Sequence, residues 1–326
     1  VLKKQGYVSE EARAKVLAAV ESTRYRPNVM ARSLRTQRTF TIGLMLTAIT
    51  VNPFFVELAH AVELSAIAAG YRVVIFNHGG NEDYERHGIE NFIAQRVDAV
   101  LFCTTLSRDN VELLAVAGIP AIEIERSSTP GVPHVRVDNY VGAREAIDHL
   151  VSLGHERIAF VGGDPKLYPH DVARQRSVED DRIAAYQDGM RAHGLQVDDE
   201  LVRLGIYYDF ENDVSGEEGS RHAEALMALA NPPTAIFATC DILAAGVLRA
   251  LYRAGKRVPE DISVVGFDDT LAPYLSPELT TVGQPLADLG KHAFEMALAA
   301  IEHGDHPTEL VLPSALTVRQ STGLRL

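Results

Sequence analysis

Chemistry needs reactive groups at workable spacings, and this sequence has few of them. A phosphate-cradling loop ending GK[ST], a GxSxG nucleophile elbow, HExxH, CxxC and a GxGxxG turn after the first strand are all absent. His303 and His306 stand in HGDH before Pro307, which reads as a polar turn with surface histidines, a metal pair being the alternative. Asp198, Asp199, Glu200, Asp209, Glu211, Asp213, Glu217 and Glu218 crowd one region and read as a solvated acidic face, with a cation site as the other option. Cys103 and Cys240 lie far apart among apolar neighbours, which argues against a disulfide framework and a cysteine-based zinc site. No catalytic residue, metal ligand set or cofactor is therefore expected, and the enzyme reading weakens. Binding chemistry remains. Apolar segments end in short polar turns at Asn77-His78-Gly79-Gly80, Gly162-Gly163-Asp164 and Gly266-Phe267-Asp268-Asp269. At the carboxyl ends of parallel strands, such turns are where open α/β sheets hold ligands.

The elements that would position those turns alternate regularly. From Phe40 onward the order is TIGLML, a helix from Phe54 to Ala69, YRVVIFN, a helix near 82–95, DAVLFC, a helix near 109–117, and AIEIE. A second series follows: RIAFVG, a helix over about 180–193, a strand near 202–207, a helix near 217–229, TAIFAT, a helix over 241–254, and SVVGF. Repeated βαβ units predict two doubly wound lobes of comparable size with a cleft between them. The chain is 46% hydrophobic and 23% charged over 326 residues, which suits one large or two medium domains and excludes a disordered or fibrous protein. The longest apolar run, Ala238 to Leu251, is broken by Asp241 and Arg249 and falls short of the ~20 clean residues a membrane span needs. With no charged-then-apolar leader at the front, a cytoplasmic protein without membrane attachment is expected.

The net charge of −13 would count against nucleic acid as a partner, but its distribution points the other way. Residues 1–40 hold nine Lys or Arg against three Glu, a charge of +6, so the rest of the chain carries −19. In this basic head, Ser9 followed by Glu10 and Glu11 predicts an N-cap and a short helix over 10–22, with Ala12, Val16, Leu17 and Val20 as its apolar stripe. Tyr25-Arg26-Pro27-Asn28 interrupts it. Residues 28–36, NVMARSLRT, suit a second short helix that needs a surface to fold against. The first residue is Val and a partly formed pattern follows at once, so the chain is expected to begin inside a structural element.

These segments occur in a specific order: GYVSEEARAKVLAAVESTRYRPNVMARSLRTQRTFTIGL at the front, then ITVNPFF, RVDAVLF, GIPAIEIER, VDNYVGA, HLVSLGHERIAFVGG, PTAIFATCD, RVPEDISVVGFDD and LTTVGQP. Together they resemble the lactose-repressor and galactose-repressor type of bacterial transcription regulator over essentially the whole chain. The resemblance implies an α/β fold of two doubly wound parallel-sheet lobes, periplasmic-binding-protein-like, behind a partial all-α DNA-binding head. The implied domains are the head at 1–40, an N-terminal lobe at 41–154 plus 284–307, and a C-terminal lobe at 155–283 plus 308–326. The helix from Ser9 to Ser22 then resembles the third helix of the head and residues 28–36 its hinge helix. Val1 and Leu2 would end the recognition helix, so the first helix and most of the reader are expected to lie outside this chain. DNA contacts implied by the resemblance are Tyr7, Asn28, Ala31, Arg32 and Leu34. Leu34 matches the hinge leucine that wedges into a minor-groove step; packing on the interlobe face or the partner hinge is its alternative.

Effector-site positions implied in the same way are Phe54, Phe55, Asp138, Arg182, Cys240, Asp241 and Asp268. Aromatic faces stack on a ring, and Arg and Asp offer paired donors and acceptors to hydroxyls. The alternatives are two core phenylalanines and a turn-capping Asp268. Three features depart from the family pattern. Cys240 replaces the usual amide before Asp241, one extra residue, taken as Val51, precedes NPFF, and residues 164–181 form a longer stretch from which Tyr168, His170, Arg174 and Arg176 have the reach to enter the cleft. The expected function is an effector-controlled repressor that binds operator DNA as a homodimer, with a small, neutral or carbohydrate-like effector. A sugar-binding receptor without DNA function is the alternative.

Overall fold

The computed structural model describes residues 9–23, 38–126, 129–168, 176–207, 216–302 and 307–325. By contacts the chain divides into two units, Val1–Phe40 and Thr41–Leu326. In the first, α1 (Glu10–Thr23) begins where Ser9 Oγ accepts a hydrogen bond from the Ala12 N–H at 3.3 Å. Glu10 and Glu11 occupy its positive N-terminal turn, as the sequence predicts. Tyr7, Asn28, Ala31, Arg32 and Leu34, and with them the expected hinge helix, lie outside the described residues.

The second unit holds two six-stranded sheets. In chain order its first elements are β1 (Thr41–Leu46), α2 (Pro53–Ala68), β2 (Arg72–Asn77), α3 (Glu82–Ala94), β3 (Ala99–Phe102), α4 (Arg108–Val116), β4 (Ala121–Ile124) and β5 (His134–Val137). There follow α5 (Asn139–Ser152), β6 (Ile158–Gly163), α6 (Val178–Ala192), β7 (Val202–Gly205), α7 (Glu217–Met227), β8 (Ala235–Ala238), α8 (Asp241–Arg253), β9 (Ser263–Asp268) and β10 (Thr280–Gly283). The last are α9 (Leu286–Glu302), β11 (Glu309–Leu312) and β12 (Ala315–Thr317).

The first sheet runs β11-β5-β4-β3-β1-β2 and every pairing in it is parallel. The second runs β12-β10-β9-β8-β6-β7, parallel except for the β10–β12 pair. Strand order reverses at β1/β3 in one sheet and at β6/β8 in the other. Connections leave these strands toward opposite faces, so a crevice opens at their carboxyl ends. Fully buried strands of Ile42, Leu44, Val100 and Leu101, or of Ile236, Phe237, Val264 and Val265, explain the near-continuous apolar runs in the sequence. Gly43 leaves room for the Phe92 ring over β1: a Cβ there would fall 2.9 Å from it.

The lobe boundaries differ from those expected. Ala143, Ala146, Ile147 and Leu150 of α5 pack with Phe160, Tyr186, Phe237 and Phe267, so α5 belongs to the second sheet and the chain crosses at 138–139, not at Gly154-His155. At the other end β11 pairs with β5, placing the last crossing after Leu312 instead of at Pro307-Thr308. The cause is the apolar stripe of α5, which is buried against the second sheet, and the edge of the first sheet, which β11 completes. The crossing between β10 and α9 lies at Gly283-Gln284.

Candidate functional site

A cavity of about 830 Å³ lies between the two lobes at the carboxyl ends of their strands. Phe54 and Phe55 reach it from the start of α2. Asn52 caps that helix by accepting from the Phe54 N–H at 3.0 Å, with Pro53 in the first turn, where its missing N–H costs nothing. The two rings meet edge to face at 5.2 Å between centroids, and both are largely buried, so each packs in the lobe while presenting a margin to the cavity. Gly79, Gly80, Asn81 and Tyr84 line it from the turn after β2 and the start of α3. His78 holds that turn: its Nδ1 accepts from the Gly80 N–H at 3.2 Å and its Nε2 lies 3.1 Å from Thr47 Oγ1. Burial lowers the His78 pKa to about 4, which keeps the ring neutral.

Arg182 enters from the first turns of α6, a helix started by a capping box between Ser177 and Asp180. Its Nε and Nη2 both donate to Asn139 Oδ1, at 2.9 and 2.7 Å, and Nη1 donates to the Thr239 carbonyl at 2.7 Å. The guanidinium carbon sits 3.9 Å from the centroid of the Phe267 ring. Burial alone would lower the Arg182 pKa, but the acidic groups around it, Tyr207, Asp268, Glu125 and Glu179, raise it and keep it charged.

Asp268 ends β9 with φ 119°, a positive-φ conformation that side-chain-bearing residues rarely adopt. Gln284 Nε2 donates to its Oδ1 at 2.7 Å. Its Oδ2 and Gln284 Oε1 are buried without a hydrogen-bond partner of good geometry, the Asn52 side chain being the other polar neighbour of Asp268, and all three residues line the cavity. Burial raises the Asp268 pKa despite the opposing Arg182 charge. Cys240 also lines the cavity and is a buried thiol whose pKa burial pushes up. As a weak donor and acceptor, it supplies little directed bonding.

Two expected positions lie elsewhere. Asp138 accepts from the Val141 N–H at 3.1 Å as the N-cap of α5 and is not part of the cavity wall. Asp241 is fully buried: its Oδ2 accepts from the N–H groups of Thr270, Leu271 and Ala272 at 2.9, 3.0 and 3.2 Å, and its Oδ1 from Thr281 Oγ1 at 2.7 Å. It ties the start of α8 to the turn after β9. Tyr168 lines the cavity, whereas Arg176 donates to the Asp180 carbonyl and pairs with Asp181 outside it; His170 and Arg174 lie outside the described residues.

The sequence reading missed Glu125, Arg126, Tyr207 and Gln284. Glu125 and Arg126 follow β4 directly, so the same strand-end rule that marks Asp268 would have found them. Glu125, at φ 66°, accepts from the Val137 N–H at 3.0 Å and from Asn139 Nδ2 at 2.7 Å. Among the described residues no group of three or more metal-ligating side chains is present, and His303 and His306 lie outside them. The acidic stretch is engaged with arginines: Asp198 and Glu200 with Arg157, Glu217 with Arg249, Glu218 with Arg221.

A family model described as a periplasmic binding protein-like domain matches residues 147–322. The chain is 32% identical to the HTH-type transcriptional repressor PurR of Photobacterium profundum, over 98% of this chain and 92% of that protein. The lactose-repressor/galactose-repressor family includes this chain. It is also 34% identical to the ribose operon repressor of Halalkalibacterium halodurans, over 99% and 91% of the two chains. Among solved members, a LacI family transcriptional regulator from Enterococcus faecium with bound ribose superposes with a TM-score of 0.75, at 29% identity, covering 88% of this chain and all of that one. As a member of this family of transcriptional regulators, the chain is an effector-binding repressor, and the interlobe cavity is its candidate effector site. Among the described residues no helix is long and apolar enough to cross a membrane.

Proposed function

We propose that this repressor takes a neutral, polyhydroxylated effector of the pentose type, and that the ligand controls operator binding by a homodimer through the basic head. The observation that carries the reading is the pair of buried acceptors without a partner of good geometry, Asp268 Oδ2 and Gln284 Oε1, at the cavity wall. Buried acceptors demand donors. The arginines of the wall already spend much of their donor capacity on Asn139, Thr239 and Glu179, so a ligand gains most by bringing hydroxyl donors. Phe54, Phe55, Tyr84, Tyr168 and Tyr207 provide faces and edges for a sugar ring. Ribose in the Enterococcus faecium relative supports the same class.

A homodimer is supported by α2, whose exposed Val56, Leu64 and Ile67 follow a helical spacing on one stripe. A +6 head on a −19 body supports operator contact by the head, since phosphate binding needs local basic charge. The deciding measurement is thermal melting of the full chain with D-ribose, D-xylose and, as a flat heterocycle, adenine. A pentose should raise the melting temperature in step with its concentration, as a ligand of the folded state must. Stabilisation by adenine with no response to any sugar would refute the polyol reading.

A further inference from the structure

Arg126, directly after β4 in the first lobe, reaches across the cavity to Glu179 in the first turn of α6 in the second. Its Nη1 donates to Glu179 Oε2 at 2.9 Å and its Nη2 to Glu179 Oε1 at 2.6 Å, a two-point bridge whose carboxylate is fully buried. The guanidinium carbon lies 5.1 Å from the centroid of the Tyr168 ring, and Tyr168 Oη accepts from the Tyr207 N–H at 2.8 Å. The bridge is thus continued into two further loops of the second lobe. Gly163 makes space for it: a Cβ there would stand 2.9 Å from Glu179 Cγ and 2.7 Å from Tyr207 Cε2. Burial would raise the Glu179 pKa, but the facing Arg126 holds it below the usual carboxylate range.

We infer that Arg126 and Glu179 form an interlobe latch that holds the cleft in its closed arrangement and fixes the charge selectivity of the effector site. The closing force is physical: Glu179 is fully buried and Arg126 nearly so, and their two-point bond exists only while the lobes face one another. Removing one partner leaves the other uncompensated, and opening the cleft to water relieves that cost. Selectivity follows from the same bond. Arg126 is a guanidinium fork in the cavity wall that could receive a phosphate ester, and Glu179 already fills it, so the site takes the neutral sugar over its phosphate. This second consequence rests on the sugar reading above, whereas the latch itself does not.

The test uses the full chain with spin labels at Val116→Cys and Tyr252→Cys, two exposed positions on opposite lobes, and compares Glu179→Gln, Arg126→Gln and the double variant with the parent latch. Ligand-free, the parent should give one short interlobe distance, and each latch variant a longer or broader distribution, the double variant also serving if a lone buried charge prevents folding. Identical distributions in parent and double variant would overturn the latch. Calorimetry with D-ribose and ribose 5-phosphate reads the selectivity. The parent should prefer ribose by at least tenfold, and Glu179→Gln should shrink that ratio at least tenfold by freeing Arg126; an unchanged ratio would overturn the selectivity role. If neither sugar binds the parent, the sugar reading fails, while the ligand-free distances still judge the latch.

Discussion

Asp241 and Asp268 are two buried carboxylates flanking the same turn, and their hydrogen bonds assign them different work. Asp241 has every near acceptor direction filled by Thr270, Leu271, Ala272 and Thr281, and Gly266 makes the room, since a Cβ there would fall 2.6 Å from Asp241 Oδ1. Asp241→Asn exchanges an acceptor for a donor among donors, and should destabilise the protein by about 1–3 kcal/mol, the cost of buried groups left unsatisfied. Denaturant titration measures this. Asp268 instead keeps one oxygen without a partner of good geometry, and Asn matches its side chain in size and branching. Burial raises the Asp268 pKa to about 8, so near neutral pH its carboxyl is largely uncharged; Asp268→Asn should leave stability nearly unchanged while effector affinity falls by roughly 0.5–1.5 kcal/mol, about 2- to 13-fold, the net worth of an uncharged hydrogen bond. Calorimetry beside a melting curve separates the two outcomes.

At the scale of elements, the cavity is built from turns held by buried polar side chains. Glu85 accepts from the Leu106 and Ser107 N–H groups at 2.7 and 3.0 Å, and Glu123 accepts from Thr105 Oγ1 and Thr129 Oγ1, each at 2.8 Å, so loops after β3 and β4 are tied from within the first lobe. His78 does the same for the turn after β2, and it gives that turn a pH dependence. Its pKa falls from an ordinary 6.5 to about 4 on folding, so between those values the unfolded chain binds more protons. The His78 contribution is therefore complete above pH 6.5 and is lost as pH falls through 4, about 3 kcal/mol in all. His78→Gln should flatten the stability profile over that window. A chemical-denaturation series from pH 7 to pH 4 checks it, and equal slopes in both proteins would exclude His78 as the source.

At the scale of the whole molecule, each lobe is bounded by how its sheet is completed. β11 adds an edge strand to the first sheet after α9 has returned the chain to that lobe, and α5 starts the second lobe before its first strand. Three strands of chain thus link the lobes, at 138–139, 283–284 and after 312, an arrangement suited to hinge closure around a ligand. The stripe on α2 makes a prediction at this scale. Leu64 is 55% exposed and contributes to no core, so Leu64→Glu should leave the melting temperature of the monomeric protein intact while weakening the proposed homodimer. An interface residue of about 2 kcal/mol corresponds to roughly 30-fold in dissociation constant. Sedimentation velocity over a concentration series reads it, and an unaltered profile would move the interface elsewhere.

Local rules made much of this protein legible in its sequence. Runs such as TIGLML and TAIFAT specify buried parallel strands because both faces must be apolar, and Ser9 with Glu10 and Glu11 marks a helix start by bonds and charges that span only a few residues. The strand-end turns of Gly79-Gly80 and Asp268 point to the cleft for the same reason. What the sequence left open depends on partners distant along the chain. Whether Asp241 meets a ligand or the turn at 270–272, whether Asp268 keeps an oxygen without a well-placed partner, and whether α5 packs on one sheet or the other are decided by which surfaces come together. Arg126 and Glu179 are 53 residues apart, and no periodicity or spacing relates them. Only the meeting of two lobes turns those two charges into a bond, because a buried ion pair exists through its geometry and not through its composition.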